Sequence, residues 1–216
     1  MPGVLIPRWL KAGWTIWLGV WAPLYWMHYG PQNFLWFCDI SNVVIGVALW
    51  LENPLLFSLQ VLSIGLVQTL FTLDFLWRLL FGYHLTGGTE YMFDPTYPFY
   101  IRVLSTFHLA IPPLLAWAII RLGYDRRALR IQTLVAWVVL PLSLLFGPEK
   151  DLNWVYGPYE KPQTWISPGL WFAIWLVGFP LILYLPMHLA LCRWAPRARG
   201  HSRPPTGVPA HPASPG

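Results

Sequence analysis

Apolar residues run through this chain in long blocks, and polar residues gather between them. A helix needs about 20 apolar residues to cross a hydrocarbon layer. Six blocks suit that role: Trp9–Met27, Asn33–Leu51, Pro54–Phe81, Ile101–Ile120, Ile131–Phe146 and Pro168–Leu191. The fifth is short and the third is long. Pro23, Pro112, Pro113, Pro141, Pro180 and Pro186 fall inside them; neighbouring helices can re-satisfy the carbonyls that such prolines free. The pattern predicts an all-α, polytopic transmembrane helix bundle of about six spans.

Composition agrees. The chain is 56% apolar and 11% charged, whereas a soluble domain carries about a quarter charged residues. That excess is too large for one globular core and implies a second apolar solvent, the bilayer. The 15 Trp and 10 Tyr suit membrane–water interfaces, since their rings are apolar with one polar edge. The net charge of +5 is not a nucleic-acid signature, because the cations cluster beside the apolar blocks.

The first block is Trp-rich, starts with only Arg8 and Lys11, and lacks a small-x-small cleavage site after it, so it reads as a span and not a cleavable signal. Residues 1–192 read as one transmembrane domain. From Arg193 the chain is rich in Pro, Gly and Arg without an apolar period, which predicts a disordered tail over 193–216. One side of the bundle holds Arg8, Lys11, Arg121, Arg126, Arg127, Arg130, Arg193, Arg197, Arg199 and Arg203. The other holds Arg78, Arg102, Lys150 and Lys161. The richer side is cytoplasmic by the positive-inside rule, which puts both termini in the cytoplasm and suits a plasma (inner) membrane. Two long segments, GYHLTGGTEYMFDPTYPFY and GPEKDLNWVYGPYEKPQTWISP, then lie outside, either as a cap over the bundle or as interfacial anchors.

Ionisable residues inside spans are costly in lipid and usually face the bundle interior. Asp39 lies six residues into the second span and His108 seven into the fourth, or about 9 and 10 Å from the outer side. Asp74 lies at a similar depth from the outer end of the third. Asp39 shares a helix face with Asn42, and Ser105 with His108, at three-residue spacing. Asp74 and Arg78, four apart, suit an intrahelical ion pair. A histidine beside a buried carboxylate makes a base near neutrality, so His108 and Asp39 are the candidate catalytic pair, with Asn42, Asp74, Arg78 and Ser105 as binding residues. The bland alternatives are interhelical polar bonds for Asp39 and Asn42, a satisfied core histidine at 108, and a self-contained Asp74–Arg78 pair. Gln60 and Gln68 read as helix glue, and His188 as a snorkelling residue near the inner end of the last span. The inner halves look largely apolar.

No glycine-rich phosphate loop and no Cys/His zinc spacing is present, and no cofactor or metal is expected. His28 and His84, both near the outer face, are a weak metal pair. Cys38 and Cys192 fall near opposite faces, too far apart for a disulfide, and read as small apolar residues.

The stretches YGPQNFLWFCDISNV, YMFDPTYPFYIRVLSTFHLAIPPLLAW, RLGYDRRAL and NWVYGP with PQTW resemble a family of bacterial multi-pass membrane-associated proteins, over about Tyr29 to Leu191. That resemblance implies several spans and no particular activity. FLWFCDIS with STFHLAIPP is more loosely similar to the androgen-induced six-span lipid hydrolases of animals. His108 matches their span-four histidine. Their threonine nucleophile corresponds to Trp36, so Cys38 or Ser41 would have to substitute. The sequence therefore points to a membrane protein with an outward-facing polar pocket that binds or modifies a lipid or other amphipathic molecule. A transporter or proton relay, and a structural or assembly factor, are the alternatives. Oligomeric state is left open.

Overall fold

The second apolar block does not become helical at its first residue. Pro31–Leu35 form a single 3-10 turn, Trp36 is extended, and the α-helix starts at Phe37. Elsewhere the helices follow the blocks closely. The computed structural model describes residues 6–158 and 161–198. It is three-quarters helical, with no strand among the described residues. The helices are α1 (Arg8–Tyr29), α2 (Phe37–Leu51), α3 (Pro54–Phe81), α4 (Phe99–Leu122), α5 (Ala128–Leu144) and α6 (Pro168–Trp194). Asn53 starts α3, its Oδ1 accepting from the amides of Leu55 and Leu56 at 2.9 and 3.3 Å, with Pro54 in the first-turn position that needs no N–H donor. Ser167 and Pro168 start α6 in the same way. The chain bends at Ser105–Thr106 in α4, and π-turns widen α3 at Val61–Gly65 and α6 at Phe179–Tyr184. The two π-turns touch each other, and α5 packs on both.

Hydrogen bonds sort the connections onto two ends of the bundle. At one end the Glu52 carboxylate accepts from Lys11 Nζ at 2.7 Å and from the Ile6 amide at 3.2 Å, and the Asp125 amide donates to Ser58 Oγ. Chain 195–198 folds back on the α4–α5 link there: the Tyr124 amide donates to Pro196 O and the Ala198 amide to Tyr124 O. Gly123, at φ +86°, makes this approach possible, since a Cβ would sit 2.4 Å from the Arg197 carbonyl oxygen. This terminal end carries both the described start and the described finish of the chain. The expected disordered tail therefore begins too early at 193: Arg193 and Trp194 complete α6, and 195–198 are paired. The rest of that expectation, 199–216, lies outside the described residues. Lys11, counted above as an interface cation, is buried and paired with Glu52.

The other end, the loop end, carries chain 30–36, 82–98, 145–158 and 161–167. Leu152, Asn153 and Val155 are buried there, so the second long segment enters the bundle and is more than an anchor. Asn153 Oδ1 accepts from the Phe37 amide at 3.0 Å, and its Nδ2 donates to Leu35 O and Ser143 Oγ at 2.8 and 3.0 Å. One side chain thus satisfies the non-helical backbone at the start of α2, which is why the helix can begin late. The indoles of Trp171 and Trp175 donate to the carbonyls of Trp154 and Asn153.

The distribution of polarity is inverted relative to a water-soluble protein. Leu66, Leu70, Leu73, Leu76 and Leu80 on α3, and Leu170, Ile174, Val177 and Leu181 on α6, face outward. Asp39, Ser41, Asn42, Gln60, Ser63, Gln68, Asp74 and Gln132 are buried. Ser58, Gln60, Ser63 and Gln132 lie toward the terminal end, so the inner halves are less apolar than the sequence suggests. Three helices, α3, α4 and α6, are long and apolar enough to cross a membrane.

Asp151 is fully buried at the loop end. Its Oδ1 accepts from the Tyr156 amide at 2.7 Å, while Oδ2 has no partner. Burial pushes its carboxyl above the usual range, against the pull of the Tyr156 and Gly157 amides. An acid with a raised folded-state pKa holds its proton more tightly when folded, so its contribution is complete at acid pH and is lost as pH rises through that raised pKa. Asp151→Asn keeps the acceptor oxygen and removes the charge. It should melt higher than the wild type at alkaline pH and level with it at acid pH, read by thermal unfolding in detergent across a pH series.

Candidate functional site

α3 ends at Gly82, and the chain turns straight back over it as His84-Leu85-Thr86-Gly87-Gly88-Thr89. This return wraps Asp74. Oδ1 accepts from the amides of Thr86 and Gly87 at 2.6 and 3.2 Å and from Thr86 Oγ1 at 3.3 Å. Oδ2 accepts from His84 Nδ1 at 3.0 Å and from Thr89 Oγ1. The predicted Asp74–Arg78 ion pair does not form. Arg78 lies over the Phe93 ring, its carbon Cζ 5.5 Å from the centroid, with a buried and unpartnered Nε. Four-residue spacing permits the pair, but two backbone amides, two hydroxyls and an imidazole fix the carboxylate without ordering a long arginine side chain. Asp74 is the loop's anchor, and its bonding capacity is spent there. The Thr/Gly run just past the helix end was the available signal.

On α2, Asp39 is 2% exposed. Its Oδ2 accepts from Asn33 Nδ2 at 2.6 Å, from the 3-10 turn, and the Cys38 thiol lies 3.8 Å from Oδ1. Among the described residues it has no cationic partner. Asn42, one turn along, is completely buried; its carbonyl accepts from Trp14 Nε1 at 3.0 Å, but neither side-chain amide atom has a partner. The expected Asp39–Asn42 face is therefore buried, and it holds unused hydrogen-bonding capacity.

The bend in α4 presents Ser105 and His108. Ser105 Oγ donates to Ile101 O at 2.9 Å, so the Tyr25 hydroxyl is the donor in its 2.6 Å bond to Ser105 Oγ. Tyr91, from the loop over α3, reaches the same serine; burial pushes its phenol well up and the Ser105 bond pulls it the other way. Tyr25, Tyr91, Ser105 and Asp39 thus form one polar layer from four parts of the chain. His108 stands beside it between the rings of Phe71 and Phe107, at 4.5 and 4.0 Å. Its Nδ1 meets the Gln68 amide, 2.8 Å from Nε2 and 2.9 Å from Oε1. No hydrogen bond joins His108 to Asp39, to Cys38 or to Ser41 among the described residues, and Ser41 Oγ donates to Gln60 Oε1 at 2.6 Å. The geometry therefore does not assemble the expected base–carboxylate pair, nor a nucleophile on His108. Tyr25, Tyr91 and Asn33 went unnoticed in the sequence, because aromatic residues near a span end look like interface anchors.

Beside this layer an open apolar groove of about 490 Å³ runs along α1, lined by Ala22, Pro23, Trp26, Met27 and Phe34. Phe34 follows Asn33 in the same turn, so the residue that holds Asp39 and the residue that floors the groove are adjacent. His28 and His84 do not share a site: the first packs against Tyr29 and Tyr100, the second is on Asp74. No group of three or more potential metal ligands gathers among the described residues. No protein-family model, no curated protein and no solved structure matches the chain.

Asp74→Ala should cost on the order of 3 kcal/mol, since it orphans buried donors, and should release the loop. Limited proteolysis ought to cut between residues 82 and 98 in the variant and leave the wild type intact there. Equal resistance would show that Asp74 does not anchor the loop.

Proposed function

We propose that this chain is a six-span membrane protein with both termini in the cytoplasm, whose loop-end layer holds the polar head of an amphipathic molecule while its chain lies in the groove along α1. Two observations support the spans: the inverted polarity of the helix faces, and the pairing of every connection with one of two ends. α2 and α5, of 15 and 17 residues, rise only about 22 and 26 Å, and the folded segments 31–36 and 145–158 make up the depth. The greater number of Lys and Arg at the terminal end supports the orientation.

The observation that carries the ligand reading is Asp39 with Asn42. A buried carboxylate lacking a cation, next to an amide lacking any partner, is costly unless something else supplies donors and acceptors. The apolar groove one residue from Asn33 gives that something a hydrophobic portion. Binding, more than catalysis, suits a layer in which His108 has Gln68 as its partner. A proton relay is the second reading. It is favoured by the Ser41–Gln60 bond and by buried Ser63 and Gln132, which carry polarity on past the π-turns toward the terminal end.

Cysteines placed at the exposed positions Glu90 and Lys161, in a background without Cys38 and Cys192, should react with an impermeant maleimide on intact cells. One at Arg203 should react only after permeabilisation. Gly157 is unsuitable as a probe, because a Cβ there would lie 1.9 Å from the Lys161 carbonyl oxygen. Labelling of position 203 in intact cells would reverse the orientation.

A fluorescent lysophospholipid should bind the purified protein. Asp39→Asn, which alters the head contact, and Ala22→Trp, which fills the groove, should each weaken it about tenfold, or roughly 1.4 kcal/mol. Unchanged affinity in both variants would remove the site.

A further inference from the structure

The ion pairs among the described residues join Lys11 to Glu52, His84 to Asp74 and Arg127 to Asp125. Asp39 takes part in none of them, although it is buried. A carboxylate offers about four acceptor positions. Asn33 Nδ2 uses one of them, on Oδ2, and Oδ1 meets only the Cys38 thiol, a weak donor, at 3.8 Å.

Two more buried groups beside it have hydrogen-bonding capacity that the protein does not fill. Asn42, one turn along α2, has neither Oδ1 nor Nδ2 bonded. Trp21, on α1, is completely buried, and its Nε1–H has no acceptor. Trp14, seven residues earlier and on the same face of α1, shows what an indole does when an acceptor is in reach: its Nε1 donates to Asn42 O at 3.0 Å. The Trp21 ring lies 5.4 Å from Phe34, which adjoins Asn33, and 5.0 Å from Tyr25 of the polar layer. The apolar groove reaches both sides of this set, since Ala22 follows Trp21, Phe34 follows Asn33, and both line it.

The unfilled capacity is of two kinds, and that narrows the chemistry. Asp39 Oδ1 and Asn42 Oδ1 call for donors, while Asn42 Nδ2 and Trp21 Nε1 call for an acceptor. A bare metal ion would serve the oxygens and leave both N–H groups unpaired. An anionic group would serve the N–H groups and be repelled by the carboxylate. A quaternary ammonium would bring charge but no N–H. A primary ammonium with an oxygen a few bonds away meets every requirement: it offsets the carboxylate, it has up to three N–H donors, and the oxygen accepts. A buried ion pair is favourable only when its remaining hydrogen-bonding capacity is filled as well, and Asn42 does that here.

We infer that the head group is a primary ammonium with a neighbouring oxygen, as in a phosphoethanolamine lipid. The ammonium sits on Asp39 and Asn42 Oδ1, and the oxygen accepts from Asn42 Nδ2 and Trp21 Nε1. This names the ligand class of the pocket proposed above and rests on that reading.

The test uses the purified full-length protein and the fluorescent lysophospholipid, displaced by three lysophospholipids that share one acyl chain and the phosphate and carry ethanolamine, choline or glycerol. The ethanolamine head should bind about tenfold tighter than either of the others. Asp39→Asn should bring its affinity down to that of the glycerol head. The comparison among heads is made on the wild type, so it stands even if that variant does not fold. Equal or tighter binding of the glycerol head overturns the inference, because charge is then not read. Equal or tighter binding of the choline head overturns it too, because the N–H donors are then not read. In either case the pocket survives, provided that Ala22→Trp still weakens all three. Failure of the fluorescent probe itself to bind removes the pocket and this inference together.

Discussion

Inside hydrocarbon no water is available to bond an amide or a carboxylate, so each such group has to meet another group of the same chain. That constraint explains the details of this fold better than helix propensity does. Asn153 is the clearest case. It lies in a loop more than a hundred residues after the turn it serves, yet it supplies both the acceptor for Phe37 N–H and a donor for Leu35 C=O. Asp74 does the same for the return after α3, and Glu52 for the entry to α1. Each tie closes a place where helical hydrogen bonding stops below the surface, and each fixes where one connection sits on the bundle.

The same constraint gives meaning to the places where matching fails. Asn42 is enclosed by the bundle with its side-chain amide unpaired, and Asp39 beside it is met by an asparagine and a thiol, not by a cation. A structure that provides Asp74 with five donors does not leave such groups open for lack of available chemistry. Around them Tyr25, Tyr91 and Ser105 make a rigid polar frame, and the groove beside Phe34 gives it an apolar neighbour. The segment Asp151–Trp154 shows a related economy. Asp151, Asn153 and Trp154 all take positive φ without being glycine, which costs on the order of 1 kcal/mol or more each. That conformation is what lets Asn153 point both of its amide atoms at the turn before α2.

The two ends of the bundle hold different chemistry. The loop end collects carboxylates, phenols and amides under two long connections. The terminal end collects most of the described arginines, and there the Tyr124 phenol holds the His188 imidazole across the α4–α5 link and α6. The two π-turns lie between, where α3 and α6 meet and where a widened turn lets Gln60 and Ser63 face inward without breaking the helix.

Much of this protein was legible in its sequence. Apolar blocks such as Pro54–Phe81 and Pro168–Leu191 are too long and too uniform to be anything but helices, because only a helix satisfies its own backbone over that length. That Asp39, Asp74 and His108 turn inward was legible too, because an ionisable residue in an apolar helix has one affordable direction. Rotation and partner choice were not legible. Asp74 bonds a loop rather than Arg78, His108 bonds Gln68 rather than Asp39, and Cys192 meets a histidine that a tyrosine some sixty residues away holds in place. Spacing along one helix lists the partners a side chain can reach. Which of them it takes depends on the groups that neighbouring helices and returning loops bring to the same depth, and only the tertiary structure decides that.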